Sequence, residues 1–236
     1  MDRLIERDFV EGKIYGVVVG EVTNNKDPEN MGRVKLKLLL RDSKHETDWA
    51  RVATFMAGKD KGSFFLPEVN DEVLVAFHEG SIKEPYVIGV LWNKKDKPPL
   101  NNSDGKNNIK KIKTRNGNEI IFSDENGKEG ITIKTKKGSI VDLDDNKGSI
   151  TIKESKGKSK ITLDSQGNMD INSDSKISLK SKSTSIVLNG MANSVDIKSS
   201  ASLKIKAANL DIQSDGMLNI KSSGILTLKG SMVKIN

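Results

Sequence analysis

The chain has 236 residues, and the residue types that it lacks limit what it can be. Cysteine is absent, so disulfide bonds play no part in the fold. No apolar run approaches the length of about 20 residues that crosses a bilayer as a helix. The first residues, MDRLIERDFVEG, are charged and contain no apolar segment of the kind found in secretory signals. We therefore expect synthesis in the cytoplasm without a signal peptide.

Two further absences concern the second half of the chain. Proline is missing from residues 100–236, and Phe, Tyr and Trp are missing from residues 123–236. Aromatic side chains normally dominate a core, so a core in this half has to be a thin one built from Ile, Leu and Val. The lack of proline suits a β ladder in which every amide hydrogen is needed.

One short unit recurs through this half: two apolar residues separated by one residue, followed by a few small or charged residues. The i, i+2 spacing is the period of a β-strand and places both apolar side chains on one face. The Ser, Asn, Asp, Gly and Lys residues between the pairs favour turns. We therefore expect strands of about three residues that stack around a narrow apolar axis. The pairs are Ile131/Ile133, Val141/Leu143, Ile150/Ile152, Ile161/Leu163, Met169/Ile171, Ile177/Leu179, Ile186/Leu188, Val195/Ile197, Leu203/Ile205, Leu210/Ile212, Leu218/Ile220, Leu226/Leu228 and Val233/Ile235.

Two architectures fit a period that settles near eight residues after Ile161. A single chain can coil on itself with about three strands per turn, as β-solenoids do. Alternatively, three identical chains can wind around a common axis. The repeat alone does not decide between these arrangements.

The first part of the chain has a different pattern, typical of a compact β domain with an ordinary core. Five expected strands in about 80 residues predict a small closed barrel. A long loop at 58–71 carries the apolar residues Phe64, Phe65 and Leu66. The expected strands cover residues 13–22, 33–40, 49–55, 72–80 and 85–92.

The charge is divided unevenly between the two parts. Residues 1–99 hold 16 basic and 17 acidic residues, whereas residues 100–236 hold 23 basic and 15 acidic residues. Scattered outward lysines on strands mainly resist edge pairing and aggregation, and a weak attraction to anionic surfaces is the alternative. Because the lysines are scattered and have no aromatic partners, we expect no nucleic-acid binding.

An ordered set of short motifs resembles the OB-fold domain of contractile-tail spikes, which are the central spikes of phage baseplates and the VgrG proteins of type VI secretion. The motifs are Gly32-Arg33-Val34, Trp49-Ala50-Arg51-Val52, Pro67-Glu68-Val69-Asn70-Asp71-Glu72-Val73, Val87-Ile88-Gly89 and Trp92-Asn93. A linker rich in Lys and Pro and the segment KIKTRNGNEIIFSDENGKEGITIKT (111–135) follow as they do in that family. The resemblance covers about residues 10–236.

The resemblance implies an all-β fold and a division of the chain. A leader (1–12) precedes a five-stranded OB-fold barrel (13–93), a linker (94–110) and an intertwined trimeric β-helix, or needle (111–236). It favours the homotrimer over the solenoid. At about 4.8 Å per strand, thirteen repeats give a needle about 60–65 Å long. The implied function is a structural, envelope-piercing spike at the distal end of the tail tube of a phage tail, tailocin or type VI-like device. In that role, the protein is part of a virion or extracellular injection particle.

Departures from parts of the family suggest particular partners. Because the barrel begins so early, we expect a separate hub protein between this spike and the tail tube and baseplate, with Phe64, Phe65 and Pro67 facing the hub. The family's lysozyme-like insertion and iron-binding tip histidines have no counterpart here. We expect a PAAR-like tip protein to cover the end formed by Met232, Val233, Ile235 and Asn236, and contact with the target envelope to be transient.

Catalysis is a weaker interpretation of the same residues. Asp142 and Asp144, near Asp145, have the spacing of a carboxylate pair that could act in acid–base catalysis. A solvated turn is the simpler interpretation of these residues. His78 reads as an ordinary strand residue, and His45 lacks a second His or Cys to complete a metal set. We expect no enzyme activity, catalytic residue, cofactor or metal site. The alternative function is a trimeric tail fibre or adhesin, or a monomeric β-solenoid that acts on surface carbohydrate.

Overall fold

A computed structural model describes residues 13–39 and 46–235. It separates into two compact units, Met1–Glu129 and Gly130–Asn236. Within the described residues, the regular structure consists of strands and one 3-10 turn at His78–Gly80, which confirms the prediction of an all-β chain. The predicted leader (1–12) lies outside the described residues. The predicted boundaries at 93 and 110 stay predictions, because the compact units divide elsewhere.

The first unit contains a five-stranded barrel sheet and a small hairpin. The sheet order is β2-β1-β6-β7-β3, with antiparallel neighbours except for the parallel pair β3 and β7. The hairpin of β4 and β5 lies in the loop for which no strand was predicted. The bounds are β1 Val18–Asn24, β2 Lys35–Leu38, β3 Arg51–Val52, β4 Ala57–Gly58, β5 Lys61–Gly62, β6 Glu72–Phe77 and β7 Pro85–Leu91.

The core of the barrel follows from strict alternation along its strands. In β1 and β6, every second residue points inward, which buries Val18, Val22, Val73 and Val75. Leu36 of β2 is fully buried in the same core. The barrel therefore forms a closed core from one chain, and its buried apolar residues are Ile14, Val18, Val22, Val34, Leu36, Leu38, Ala50, Val73, Val75 and Val87.

A hairpin of β8 (Ile109–Lys113) and β9 (Glu119–Ser123) completes the first unit. Glu119 forms ion pairs with Lys111 and Lys113, whose Nζ atoms lie 3.4 and 3.1 Å from its carboxylate oxygens, and these pairs hold the two strands together. These lysines lower the pKa of Glu119, with the hydrogen bond from Lys113 as the largest cause. At the turn, Arg115 reaches Glu68 of the barrel at 2.7 Å.

The second unit begins with five antiparallel strands in chain order, each paired with the next. Each strand has five residues, two more than the sequence pattern suggested, because Thr, Ser and Lys beside the apolar pairs also accept extended backbone. The four connections are tight hairpin turns, and each contains a glycine with positive φ: Gly138, Gly148, Gly157 and Gly167. The strands are β10 Gly130–Lys134, β11 Ile140–Asp144, β12 Ser149–Lys153, β13 Ser159–Leu163 and β14 Met169–Ser173.

A three-stranded sheet follows, made of β15 (Lys176–Ser181), β16 (Thr184–Asn189) and β17 (Ser194–Lys198). From residue 199 to 235, the described chain forms no strand within itself. The last five predicted apolar pairs lie in this segment and are exposed, among them Leu203, Ile205, Leu226 and Ile235. The repeat therefore continues there without ladder partners from the same chain.

Candidate functional site

The second unit carries an aliphatic face on β10–β14. The antiparallel registers align the apolar pairs of successive strands into two rows. None of these ten side chains is buried in the single chain, and Ile152, for example, is 46% exposed. We call them the aliphatic rows: Ile131, Leu143, Ile150, Leu163 and Met169 in one, and Ile133, Val141, Ile152, Ile161 and Ile171 in the other.

The next sheet repeats the same arrangement. In β15–β17, Ile177, Leu188 and Val195 align in one row, and Leu179, Ile186 and Ile197 align in the other. Leu179 is 58% exposed and Val195 is 64% exposed. Contiguous exposed apolar surface of this kind is typical of interaction sites.

The opposite face of β10–β14 is polar. Its central column contains Thr132, Asp142, Thr151, Thr162 and Asp170, which are aligned by the same registers. Thr132 donates a hydrogen bond from its hydroxyl to Asp142 at 2.6 Å. Thr162, in the same column, has a buried hydroxyl without a hydrogen-bond partner among the described residues. The aliphatic face likewise has no apolar partner within the described part of the chain.

On the barrel, an apolar groove surrounds the small hairpin of β4 and β5. Met31, Met56, Phe64 and Phe65 line this groove. Phe64 and Phe65 are 79% and 65% exposed, and Phe64 lies over Gly32. Sequence reasoning found the two phenylalanines but missed the two methionines, which the fold brings to them from separate loops.

Pro67 differs from the other residues that the sequence suggested for the hub-facing surface. It is buried, and its carbonyl oxygen accepts a hydrogen bond from the Asn25 side chain at 3.1 Å. Pro67 therefore anchors the loop rather than sharing the exposed groove. The hub-facing role of Phe64, Phe65 and Pro67 stays a prediction, in which Pro67 would act through the loop that it holds and the two phenylalanines would make the contact.

A buried ion pair shapes the loop beside this groove. Asp27 and Arg33 form a two-pronged contact, with 3.0 Å from Arg33 Nε to Asp27 Oδ2 and 2.8 Å from Nη2 to Oδ1. The Asp27 side chain is only 3% exposed and also accepts the backbone N–H of Met31 at 2.9 Å. Arg33 is the largest cause that holds the pKa of Asp27 well below its ordinary value of 3.8, and Asp27 in turn raises the pKa of Arg33.

Trp49 lies next to this ion pair and connects it to the neighbouring strand. The Arg33 guanidinium and the Lys35 ammonium lie 5.9 and 5.6 Å from the centre of the Trp49 ring. The motif residues Gly32-Arg33-Val34 and Trp49 thus meet in one structural cluster. Their role is to fix the loop that carries Met31 to the groove.

The residues considered for catalysis are dispersed over the surface. Asp142 is held by Thr132, while Asp144 is paired with Lys147 at 2.6 Å, and this pair lowers the pKa of Asp144. His78 lies 3.2 Å from Glu84, and both side chains are more than half exposed. His45 lies outside the described residues. Among the residues that the structure describes, no three His, Cys, Asp or Glu side chains are grouped to hold a metal ion.

The residues suggested for the tip-binding end are exposed where they are described. Met232, Val233 and Ile235 have exposed fractions of 72%, 53% and 86%. Asn236 lies outside the described residues. Among the described residues, no helix has the length and apolar character needed to cross a membrane.

Fold and surfaces together define a class: a small OB-like barrel joined to a β domain whose aliphatic face needs partners. Comparison with protein families agrees with both halves. Residues 18–92 match the type VI secretion system/phage-baseplate injector OB domain, and residues 110–176 match the phage baseplate V C-terminal trimerisation domain. The chain belongs to the family of phage-baseplate and type VI secretion spike proteins.

Individual relatives support the same assignment. The type VI secretion system spike protein VgrG3 of Vibrio cholerae serotype O1 is 29% identical over 136 residues, which is 54% of this chain and 13% of the relative. VgrG1b of Pseudomonas aeruginosa, also a type VI spike protein, is 27% identical over 147 residues, which is 58% of this chain and 20% of the relative. The actin cross-linking toxin VgrG1 of Vibrio cholerae is 27% identical over 136 residues. The matched region thus spans a fifth or less of the length of these curated relatives.

Proposed function

We propose that this chain is the central, envelope-piercing spike of a contractile injection machine and that it works as a homotrimer. The observation that carries the proposal is the pair of aliphatic rows on β10–β14, which no part of the described chain covers. All ten residues of these rows, from Ile131 to Ile171, fall within the match to a trimerisation domain. Three copies that turn these faces toward a common axis form the core that a single chain lacks.

The energetics favour this arrangement. Apolar surface removed from water contributes about 25 cal/mol per Å², so covering a half-exposed Ile or Leu contributes about 1 kcal/mol or more. Each chain brings ten apolar side chains from β10–β14, of which seven are exposed and three, Val141, Ile161 and Leu163, are partly buried. The gain grows with every further sheet that carries the same rows. A continuous ladder around an aliphatic axis would be stiff, and stiffness is what a rod driven through an envelope requires.

The solution mass of the purified chain tests the trimer directly. Light scattering behind a sizing column is expected to give about three times 25.9 kDa. A clean monomer over the micromolar range would contradict the proposal and bring back the solenoid that acts on surface carbohydrate. Immunogold labelling of particles from the producing cell tests the location, which we expect to be the distal end of the tail tube.

The partners are the finer part of the proposal. We place a separate hub protein against the barrel groove at Phe64 and Phe65, and a PAAR-like tip protein against Met232, Val233 and Ile235. Support comes from the exposure of these apolar side chains. Any effector carried by the machine would reach the target with the spike, and contact with the envelope would be transient.

Incorporation into purified tails tests the hub contact. We expect Phe64→Ser to lower the amount of spike that co-purifies with the tail tube, because it removes an aromatic anchor from the groove. Phe55→Ser is the matched control, since Phe55 is 97% exposed but does not line the groove. Equal incorporation of the two variants would argue against the groove as the hub contact.

For the tip, Ile235→Asp is expected to prevent co-purification of a tip protein while the trimer mass stays unchanged.

A further inference from the structure

The strands of β10–β14 end and turn along two opposite sides of their sheet, and these two sides carry opposite charge. At one edge, the strand ends and turns at 134–140 and 153–160 contain seven lysines and one glutamate. At the other edge, the corresponding segments 144–149 and 163–169 contain three aspartates and one lysine. We call these the basic edge and the acidic edge. The sheet therefore has a direction across its width that its apolar pattern does not reveal.

Asp174 also lies at the basic edge, where its backbone N–H donates to the Lys158 carbonyl oxygen at 3.0 Å, but three lysines there have no carboxylate partner among the described residues. Lys153 and Lys160 stand directly opposite each other on neighbouring strands, an arrangement that repels. Neither of them, nor Lys134, forms an ion pair with a carboxylate in the described part of the chain. The glutamate at this edge, Glu154, is occupied by backbone N–H groups of its own turn.

Carboxylates at the acidic edge are too distant to neutralise these lysines. Lys153, at the basic end of β12, lies four residue steps after Ser149 at the acidic end, which is about 13 Å along a strand. Asp145 lies beyond Ser149, and its carboxylate forms no hydrogen bond or ion pair within the described residues. A distance of this size exceeds the Debye length of about 10 Å at 0.1 M salt.

We propose that the acidic edge of one chain pairs with the basic edge of the next, so that three charged seams close the trimer. The inference rests on the proposed trimer. In a cyclic trimer each chain contacts the next head to tail, so the acidic edge of one chain meets the basic edge of its neighbour at every corner. Three-fold rotation involves no translation, so the same strand of each chain lies at the same height along the axis. A second copy of this chain presents an acidic edge to the basic edge and a basic edge to the acidic edge. An anionic envelope would complement the basic edge alone, so a second copy is the better partner.

Matching heights identify the residues of the seam. Lys160 lies on β13, and Asp164 follows β13 directly, so the two lie at one level on adjoining chains. Lys153 ends β12, and Asp145 lies in the turn that enters β12, within about one strand spacing of 4.8 Å in height. Asp164 also holds its own turn through Gln166 and Asn168, so Asp145 and Lys153 are the better pair to exchange.

A charge exchange in the full chain tests the seam. Asp145→Lys and Lys153→Glu, each alone, are expected to raise the trimer dissociation constant about tenfold at about 0.05 M NaCl, because each acts at three corners. The double variant is expected to return to within about threefold of the wild type, and all differences to shrink at about 0.5 M NaCl. The controls are Lys153→Gln, which removes charge without reversing it, and Lys97→Glu in the linker.

Cross-linking gives a second readout that does not depend on stability. The chain contains no cysteine, so Asp145→Cys with Lys153→Cys introduces the only two thiols. A short bismaleimide is expected to convert this double variant into covalent trimers on a denaturing gel. A cross-link within one chain would leave a monomer band.

The outcomes separate the seam from the trimer itself. A wild type that is monomeric contradicts the proposed function. A trimeric wild type overturns the seam alone if the exchanged double variant is no better than the worse single variant, or if cross-linking gives only monomers. The seam is also overturned if Lys153→Glu weakens binding to phosphatidylglycerol vesicles while the trimer equilibrium stays unchanged.

Discussion

At the scale of single residues, Asp27 shows how a loop is fixed before any partner binds. Its carboxylate is buried, paired twice with Arg33 and bonded to backbone N–H groups of Glu29 and Met31. A buried charge that loses its partner is costly, so the two residues depend on each other. The same contacts hold Met31 beside the groove that we assign to the hub.

Asp27 also predicts how the barrel responds to acid. Its pKa is lowered in the folded state, so its contribution to the free energy of unfolding is complete above the ordinary pKa of 3.8 and is lost as the pH falls below that value. Asp27→Asn is expected to lower the melting temperature of the barrel by about 5 °C or more at pH 7 and to flatten its decline below about pH 4. Thermal melts monitored by tryptophan fluorescence at several pH values measure both effects.

Glu29→Gln is the matched control for this variant. Glu29 also contacts Arg33, at 3.2 Å, but its side chain is 66% exposed, so its loss is expected to change little. Equal pH profiles for wild type and Asp27→Asn would show that the ion pair does not set the acid limit of the barrel.

Gly130 is the second residue with a specific role. Its φ is +157°, and a Cβ atom there would lie 2.2 Å from the carbonyl oxygen of Leu143 on the paired strand. Because the obstacle is backbone, Gly130→Ala is expected to destabilise the ladder by about 1–3 kcal/mol. Urea unfolding at a fixed protein concentration measures this change. Gly89→Ala, at a position with no heavy atom within 4 Å, is expected to stay close to wild type.

At the scale of elements, the two faces of one strand give a sharp test of the aliphatic rows. Ile152→Lys puts a charge into a row at three places in each trimer and is expected to abolish the trimer at micromolar concentration. Thr151→Lys changes the neighbouring residue on the polar face and is expected to leave the trimer intact. Light scattering on the two variants gives the answer. If both variants remain trimeric, the aliphatic face is not the contact surface.

The same elements show how far sequence reasoning reached. The i, i+2 pairs identified the strands from β10 to β17 correctly, because period and turn residues agreed. The pattern did not reveal that consecutive strands form hairpins, since a turn of four or five residues suits a corner as well as a hairpin. The apolar pairs up to Ile197 have ladder partners in the same chain, whereas the pairs from Leu203 onward have none in the described chain. The sequence pattern did not distinguish these two groups.

In the barrel, the expected strands matched the observed strands where apolar and polar residues alternate strictly, and matched them less well where the alternation is weak. The fourth expected strand (72–80) ends at Phe77, because Glu79 and Gly80 adopt positive φ in the turn. The third (49–55) shortens to Arg51–Val52, and the hairpin of β4 and β5 went unnoticed in a Gly- and Lys-rich loop. Asp27 and Arg33 are six residues apart, a separation with no local periodicity, so only the fold reveals their pairing.

At the scale of the whole molecule, the two units differ in where their stability comes from. The barrel buries its core within one chain, with residues such as Val22 and Leu36 fully enclosed, whereas none of the aliphatic-row residues is buried. Stability that comes from association depends on concentration, and stability within one chain does not. The two units should therefore respond differently to dilution.

A melting experiment at several concentrations separates the two contributions. Both tryptophans, Trp49 and Trp92, lie in the first unit, so their fluorescence reports on the barrel, whereas far-ultraviolet circular dichroism reports on strands of both units. Over a hundredfold dilution, the fluorescence midpoint is expected to stay constant and the dichroism transition of the ladder to move to lower temperature. If both midpoints fall together, the barrel draws its stability from the trimer. If neither moves, the ladder is stable in one chain, and the aliphatic rows need another explanation.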